Sequence, residues 1–175
     1  MTDLANNLRP ALQSISELLS TLSADDWQRP QAGKWTVAEE VDHLLLSTKG
    51  TAFVLSPAAR PKWHEYTGGS RSFETIVHEY QAALQANPGV VNAATAPTEA
   101  ANQLTIDEQM ANWKAAAQKL QAVVNGLDVD LDAYTVWKHP LLGPLTIWEM
   151  IYFTQYHTEH HYQSLLRKQS ATDDN

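Results

Sequence analysis

Apolar positions recur at helical spacing in four long stretches of this chain. In the first, from about Leu4 to Leu22, they are Leu4, Leu8, Ala11, Leu12, Ile15, Leu18, Leu19 and Leu22. The second runs from about Val37 to Leu55 and stops before Pro57. The third runs from about Ile106 to Asn125, with Gly126 as a natural stop. The fourth runs from about Thr146 to Lys168, where Arg167 and Lys168 suit the negative end of a helix dipole. Three of the four open on Thr-x-x-Glu: Thr36/Glu39, Thr105/Glu108 and Thr146/Glu149. In this box the two side chains satisfy backbone N–H groups that the first helical turn leaves free.

Between the second and third helices, Ser56 to Leu104 is broken by Pro57, Pro61, Gly68, Gly69, Pro88, Gly89 and Pro97, and it holds a shorter helix at about Ser72 to Ala86. A connection of this length lets the helices it joins run parallel, as in bundles with a long crossover. Leu127 to Leu145 is a second irregular stretch, ending in a rigid approach from Trp137 to Pro144. No strong strand alternation and no repeat is visible. The expectation is an all-α single domain over 1–175, a bundle with a long helix-containing crossover.

Composition narrows the function classes. A net charge of −8 and no Lys/Arg cluster argue against a nucleic-acid partner, which needs a basic footprint. Without any Cys the chain has no thiolate ligand and no nucleophilic thiol of its own, so thiol chemistry needs a thiol from outside. Met1 to Pro10 has no basic region followed by an apolar run, and no apolar stretch reaches membrane-spanning length. The expectation is a cytoplasmic protein with a small-molecule substrate and no membrane partner.

The candidate chemistry lies in the run His157-Thr158-Glu159-His160-His161. His157 and His161 are spaced i, i+4, which stacks two imidazoles on one helix face. At about 100° per residue, Met150, Phe153 and Ser164 share that face, His160 sits on its edge about 60° away, and Glu159 points to the far side. A zincin needs Glu beside the first His as general base, so the metalloprotease reading fails on geometry. The third ligand must come from another helix, and His43, mid-way along the second, is the best candidate. Glu39, Leu46, Ser47, Gly50 and Val54 share its face. Glu40-Val41-Asp42-His43 also matches half of a di-iron motif, but no second Glu-x-x-His exists, so a mononuclear site fits better. Each residue also has a plainer role: His43 as a hydrogen-bonded core histidine, the His pair as surface residues, Glu39 as the partner of Thr36. His64 and His78 read as loop and helix-face residues, and His139, before Pro140 at the mouth of the fourth helix, as structural in preference to pocket-lining.

Trp35-Thr36-Val37-Ala38-Glu39 followed by His43, and His139-Pro140-Leu141-Leu142-Gly143-Pro144-Leu145-Thr146 followed by His157 to His161 and Gln163, resemble the two motifs of the DinB/YfiT-like superfamily. The resemblance implies a four-helix bundle of up-down-down-up topology and a divalent metal held by His43, His157 and His161. It also implies a homodimer through bundle faces. Relatives in that superfamily join bacillithiol or mycothiol to electrophiles, or use mycothiol in an isomerisation. The implied function is a metal-dependent thiol S-transferase, in which the metal lowers the thiol pKa. The alternatives are a hydrolase that activates water, with Glu39 as base or water-orienting group, and a non-enzymatic metal-binding or stress-related bundle protein. Three imidazoles accept Zn, Ni, Fe, Mn or Co, so the metal is not specified.

Overall fold

The computed structural model of the protein describes residues 2–30 and 33–170, with side chains for 7–30 and 33–169. Residues 1, 31–32 and 171–175 of the expected domain, and the side chain of Leu4, lie outside that description. The helices are α1 (Thr2–Leu19), α2 (Ala24–Gln28), α3 (Val37–Val54), α4 (Phe73–Ala86), α5 (Ile106–Asn125) and α6 (Ile147–Ser170). Three short strands, β1 (His64–Glu65), β2 (Tyr134–His139) and β3 (Gly143–Thr146), make an antiparallel sheet in the order β1-β2-β3. A 3-10 helix lies at Pro57–Lys62, and single 3-10 turns at Ala93–Thr95 and Ala101–Gln103.

All three Thr-x-x-Glu boxes form. Thr36, Thr105 and Thr146 donate their backbone N–H to the carboxylates of Glu39, Glu108 and Glu149 at 2.8, 2.8 and 3.0 Å. The return bonds, glutamate N–H to threonine Oγ1, are 3.1, 3.3 and 3.2 Å. The helices they open therefore start where the sequence puts them. A fourth box, Ser23/Asp26, opens the short helix α2, which apolar spacing does not reveal because only Trp27 on it is buried. The first helix ends at Leu19, not Leu22, and the chain turns at Ser20 and Thr21. α5 stops at Gly126 without a left-handed residue: its φ is −90°, and its N–H bonds back to Ala122 and Val123.

The long helices α1, α3, α5 and α6 pack on one another: α3 on α5 and α6, and α1 on α5 and α6. Leu8, Leu12, Ile15, Leu44, Trp113, Leu120, Ile147 and Leu165 are among the side chains they bury. Trp113 is fully buried and donates its indole N–H to Leu12 O at 3.2 Å, so its polar atom is satisfied inside the core. Burying a Trp removes about 150–250 Å² from water, which is worth about 4–6 kcal/mol at about 25 cal/mol per Å². Trp27 does the same for the crossover, donating to Leu104 O at 3.1 Å.

The sheet corrects the expectation of an all-α chain. Tyr134-Thr135-Val136-Trp137 is rich in strand-forming residues. Its alternation is broken by an irregularity between Thr135 and Trp137, and only Val136 in β2 is buried. Pro144 fits because β3 is an edge strand. Three residues, 140–142, join the strands, and Gly143 follows at φ 71°, a conformation that L side chains rarely adopt. The ring of His139 closes the turn: its Nδ1 accepts the N–H groups of Leu141 and Leu142 at 3.1 and 3.2 Å.

Arg71 ties the crossover to this hairpin and to the start of α6. Its guanidinium reaches both Glu149 oxygens (2.9 and 3.0 Å), Glu79 (2.6 Å), Leu142 O (3.3 Å) and Pro144 O (3.2 Å). Burial pushes the Glu149 carboxyl up, but bonds from the Arg71 side chain and backbone and from Thr146 outweigh that, and its pKa falls below the ordinary value. Arg71→Ala should cost about 3 kcal/mol, a fall in Tm on the order of 10 °C, because it leaves a buried carboxylate without its cation. A depressed carboxyl pKa stabilises above the unfolded value and loses that contribution as pH falls through the folded one. The gap between wild type and variant, read by thermal melts, should therefore narrow below about pH 4.

Candidate metal centre

His43 lies mid-way along α3, and His157 and His161 flank the middle of α6. The packing of α3 on α6 brings the three rings together. His157 Nε2 is 3.1 Å from His43 Nε2 and 3.2 Å from His161 Nε2. All three residues are buried, and each offers a ring nitrogen within 4.8 Å of the others.

The outer nitrogens are held by acceptors. His43 Nδ1 lies 2.7 Å from Thr95 O, and His161 Nδ1 lies 2.7 Å from Glu40 Oε1. A carbonyl and a carboxylate only accept, so both Nδ1 atoms carry the proton and both Nε2 atoms present lone pairs when neutral. One N–H on His157 Nε2 satisfies at most one of these. A cation satisfies all three. Nitrogens about 2.0–2.1 Å from a tetrahedral ion stand about 3.3 Å apart, close to the spacing seen. The donor set therefore fits a divalent metal, with Thr95 and Glu40 as the groups that fix tautomer and ring orientation.

The electrostatics agree with neutral ligands. Burial, with His161 nearby, pushes the His43 pKa down to about 4, against the bond to Thr95. His157 is driven well below its ordinary value by burial and by the imidazoles around it. Glu40 behaves oppositely. Burial alone would raise its pKa, but hydrogen bonds and charge from His161 and Lys168 hold it at about 2. Its second oxygen accepts from Ser164 Oγ at 3.1 Å and pairs with Lys168 Nζ, which also donates to Trp35 O at 2.6 Å. This ionised carboxylate thus joins α3 to α6 just behind the imidazoles.

Glu39 sits elsewhere. One oxygen takes the Thr36 N–H of the capping box, and the other accepts from Asn102 Nδ2 at 3.1 Å. It is absent from the cavity wall. Glu40, its neighbour in sequence, is the carboxylate that touches the cluster. Only its i, i+3 place before His43, in the half-motif Glu40-Val41-Asp42-His43, marked it in the sequence. Asp42 also has a role: its Oδ2 accepts the N–H and hydroxyl of Thr98 at 2.8 and 2.9 Å, pinning the crossover beside Thr95. Thr95 itself carries no sequence signal, because its backbone does the work from 52 residues away.

The cluster forms part of the wall of a cavity of about 480 Å³. α3 lines it with Leu46, Ser47, Gly50 and Val54, the face predicted for His43. α6 adds Met150, Phe153 and the exposed His160; α4 adds Tyr80 and Leu84; the crossover adds 89–92, 94 and 95. Trp35 packs against His43 with ring centres 4.9 Å apart. His139 lines the wall as well as closing the hairpin, and burial pushes its pKa down to about 4. Glu159 points away and is bonded by Gln155, while His64 and His78 are exposed on β1 and α4. Among the described residues no helix is long and apolar enough to cross a membrane.

Neither a curated protein nor a solved structure matches the chain at significance. A sequence model of the DinB superfamily matches residues 7–165, a span that includes all three clustered histidines and the wall residues around them. With that much of its length accounted for, the chain belongs to the DinB superfamily.

Proposed function

We propose that the protein is a divalent-metal-dependent enzyme with a thiol S-transferase-like activity, and that His43, His157 and His161 are its metal ligands. In this reading α1, α3, α5 and α6 make an up-down-down-up four-helix bundle and a single domain, with a homodimer as the assembly. A divalent cation held there supplies a Lewis acid that lowers the pKa of a thiol brought to it.

The observation that carries the choice of thiol over water is the cavity wall, which among the described residues includes no Asp or Glu. Water, with a pKa of about 15.7, needs far more help to lose a proton than a thiol at about 8.5. Glu39, the base on which hydrolysis would depend, is engaged at the helix cap. Glu40 is held by His161, Ser164 and Lys168. What the chain does is hold protons on the Nδ1 atoms of His43 and His161 and bring ring nitrogens of His43, His157 and His161 together around one point. In the transfer, the thiol sulfur bonds to an electrophilic carbon, a group such as chloride leaves that carbon, and the thiol proton is released.

Protein purified without chelator should carry about one divalent ion per chain by elemental analysis, and His43→Ala should lose it. Glu40→Gln should weaken metal binding about 10- to 100-fold in a chelator-competition titration, since it replaces the carboxylate behind His161 while leaving the three ligands in place. Metal-loaded protein incubated with bacillithiol, mycothiol or glutathione and a chlorinated aromatic acceptor should form conjugate at least about tenfold faster than His43→Ala. Rates equal to that control with every thiol would remove the transferase reading, and turnover of an ester panel without thiol would replace it with hydrolysis.

A further inference from the structure

The wall of the cavity says more about the occupant than the histidines do. Among the described residues it includes no Lys, Arg, Asp or Glu, so away from the three-histidine cluster an ion entering it finds no counter-charge. Its polar groups are largely turned to the protein. Thr51 Oγ1 is bonded to Ser47 O and Thr154 Oγ1, both at 3.2 Å. Asn92 Oδ1 accepts Ala94 N–H at 3.0 Å, and Thr95 Oγ1 donates to Asn92 O at 3.2 Å. Besides Ser47, Tyr80, His139 and His160, most of the rest is aliphatic and aromatic surface, with Leu46, Val54, Leu84, Met150 and Phe153 lining the same cavity as the imidazoles.

The rim continues that surface. Of the five large apolar side chains exposed among the described residues, four border this cavity: Phe53 (57% exposed), Val90 (50%), Val91 (42%) and Trp137 (40%). Apolar exposure gathered at one mouth marks a binding site rather than the scattered exposure normal on a surface. The volume lies in the range of about 300–1,000 Å³ typical of small-molecule sites. A charged group buried against the wall away from the histidines loses its hydration with nothing to replace it, and the net charge of −8 further disfavours anions.

Taking the three-histidine end as the reacting end, and so resting on the transferase reading, we propose that the acceptor substrate is an uncharged, largely apolar molecule, a hydrocarbon chain or aromatic body with one uncharged electrophilic end. Phe53, Val90, Val91 and Trp137 admit the apolar body, and the wall selects against charge anywhere along it.

The test is binding, read without thiol on the protein as purified. Displacement of the neutral fluorophore N-phenyl-1-naphthylamine is followed with decanol, decanesulfonate and decyltrimethylammonium, which share one chain and differ in charge. The fluorophore should bind, and decanol should displace it at concentrations at least about tenfold lower than either ion. Val91→Lys, a change at an exposed position, should improve decanesulfonate by about fivefold while leaving metal content unchanged. Failure of the fluorophore to bind, displacement by either ion as good as by decanol, or no gain for the sulfonate in Val91→Lys would each overturn the proposal. Transferase activity lost with the decanol preference intact removes the transferase reading alone. Activity present with charged chains bound equally well removes this proposal alone.

Discussion

Two helices far apart in sequence must meet at one point, with three imidazoles turned inward, and the buried carboxylate of Glu40 is what makes that meeting specific. It sits on α3, takes the Nδ1 proton of His161 on α6, and balances Lys168 one helical turn beyond Ser164. A buried charge is costly unless each lone pair finds a donor. Here three donors from α6 converge on it, so sliding or rotating α6 against α3 would strand it. The same contact that orients a ring therefore also sets the register of the helix pair. Trp35 joins in through its carbonyl, which brings the indole that packs on His43 into the same arrangement.

What the sequence made legible was local. A capping box is four residues long and an amphipathic face repeats every turn, so helix starts and the inward sides of α3 and α6 could be read directly. His43, His157 and His161 followed from those faces, and Leu46, Ser47, Gly50 and Val54 beside His43 do line the cavity. The parts that could not be read depend on distant partners. β2 has strand-forming residues but pairs with a two-residue strand about seventy positions away, and its alternation slips between Thr135 and Trp137. The carboxylates are the sharpest case. Glu39 shares the His43 face on a helical wheel, yet its position as third residue of the helix commits it to the backbone N–H of Thr36. Glu40, about 100° further round, meets α6 instead. Which of two adjacent glutamates serves a cap and which serves a ring depends on the neighbouring helix, and a single-helix projection does not contain it.

Arg71 and His139 perform a similar service at the other end of α6. One holds the crossover onto the Thr146/Glu149 cap, and the other shapes the turn of the hairpin that runs straight into the helix. Both are polar groups in partly buried places, and both are satisfied by backbone as much as by side chains. Between them they fix where α6 begins, and His157 and His161 sit at set numbers of turns from that point.

The carbonyl of Thr95 has a consequence for how such a protein can change. The segment from Gly89 to Thr95 forms part of the cavity wall, and its last residue holds the outer nitrogen of His43. Selectivity for what enters and the pose of a ligand ring are thus written into the same short stretch. A lineage, or an engineer, that shifts the backbone of this stretch to accept a new shape perturbs the imidazole in the same stroke, whereas an exposed side chain on it such as Val91 can change without moving the Thr95 carbonyl. Substitutions on α4 or at Trp137, which line the cavity without touching the cluster's outer nitrogens, are the freer route to new specificity.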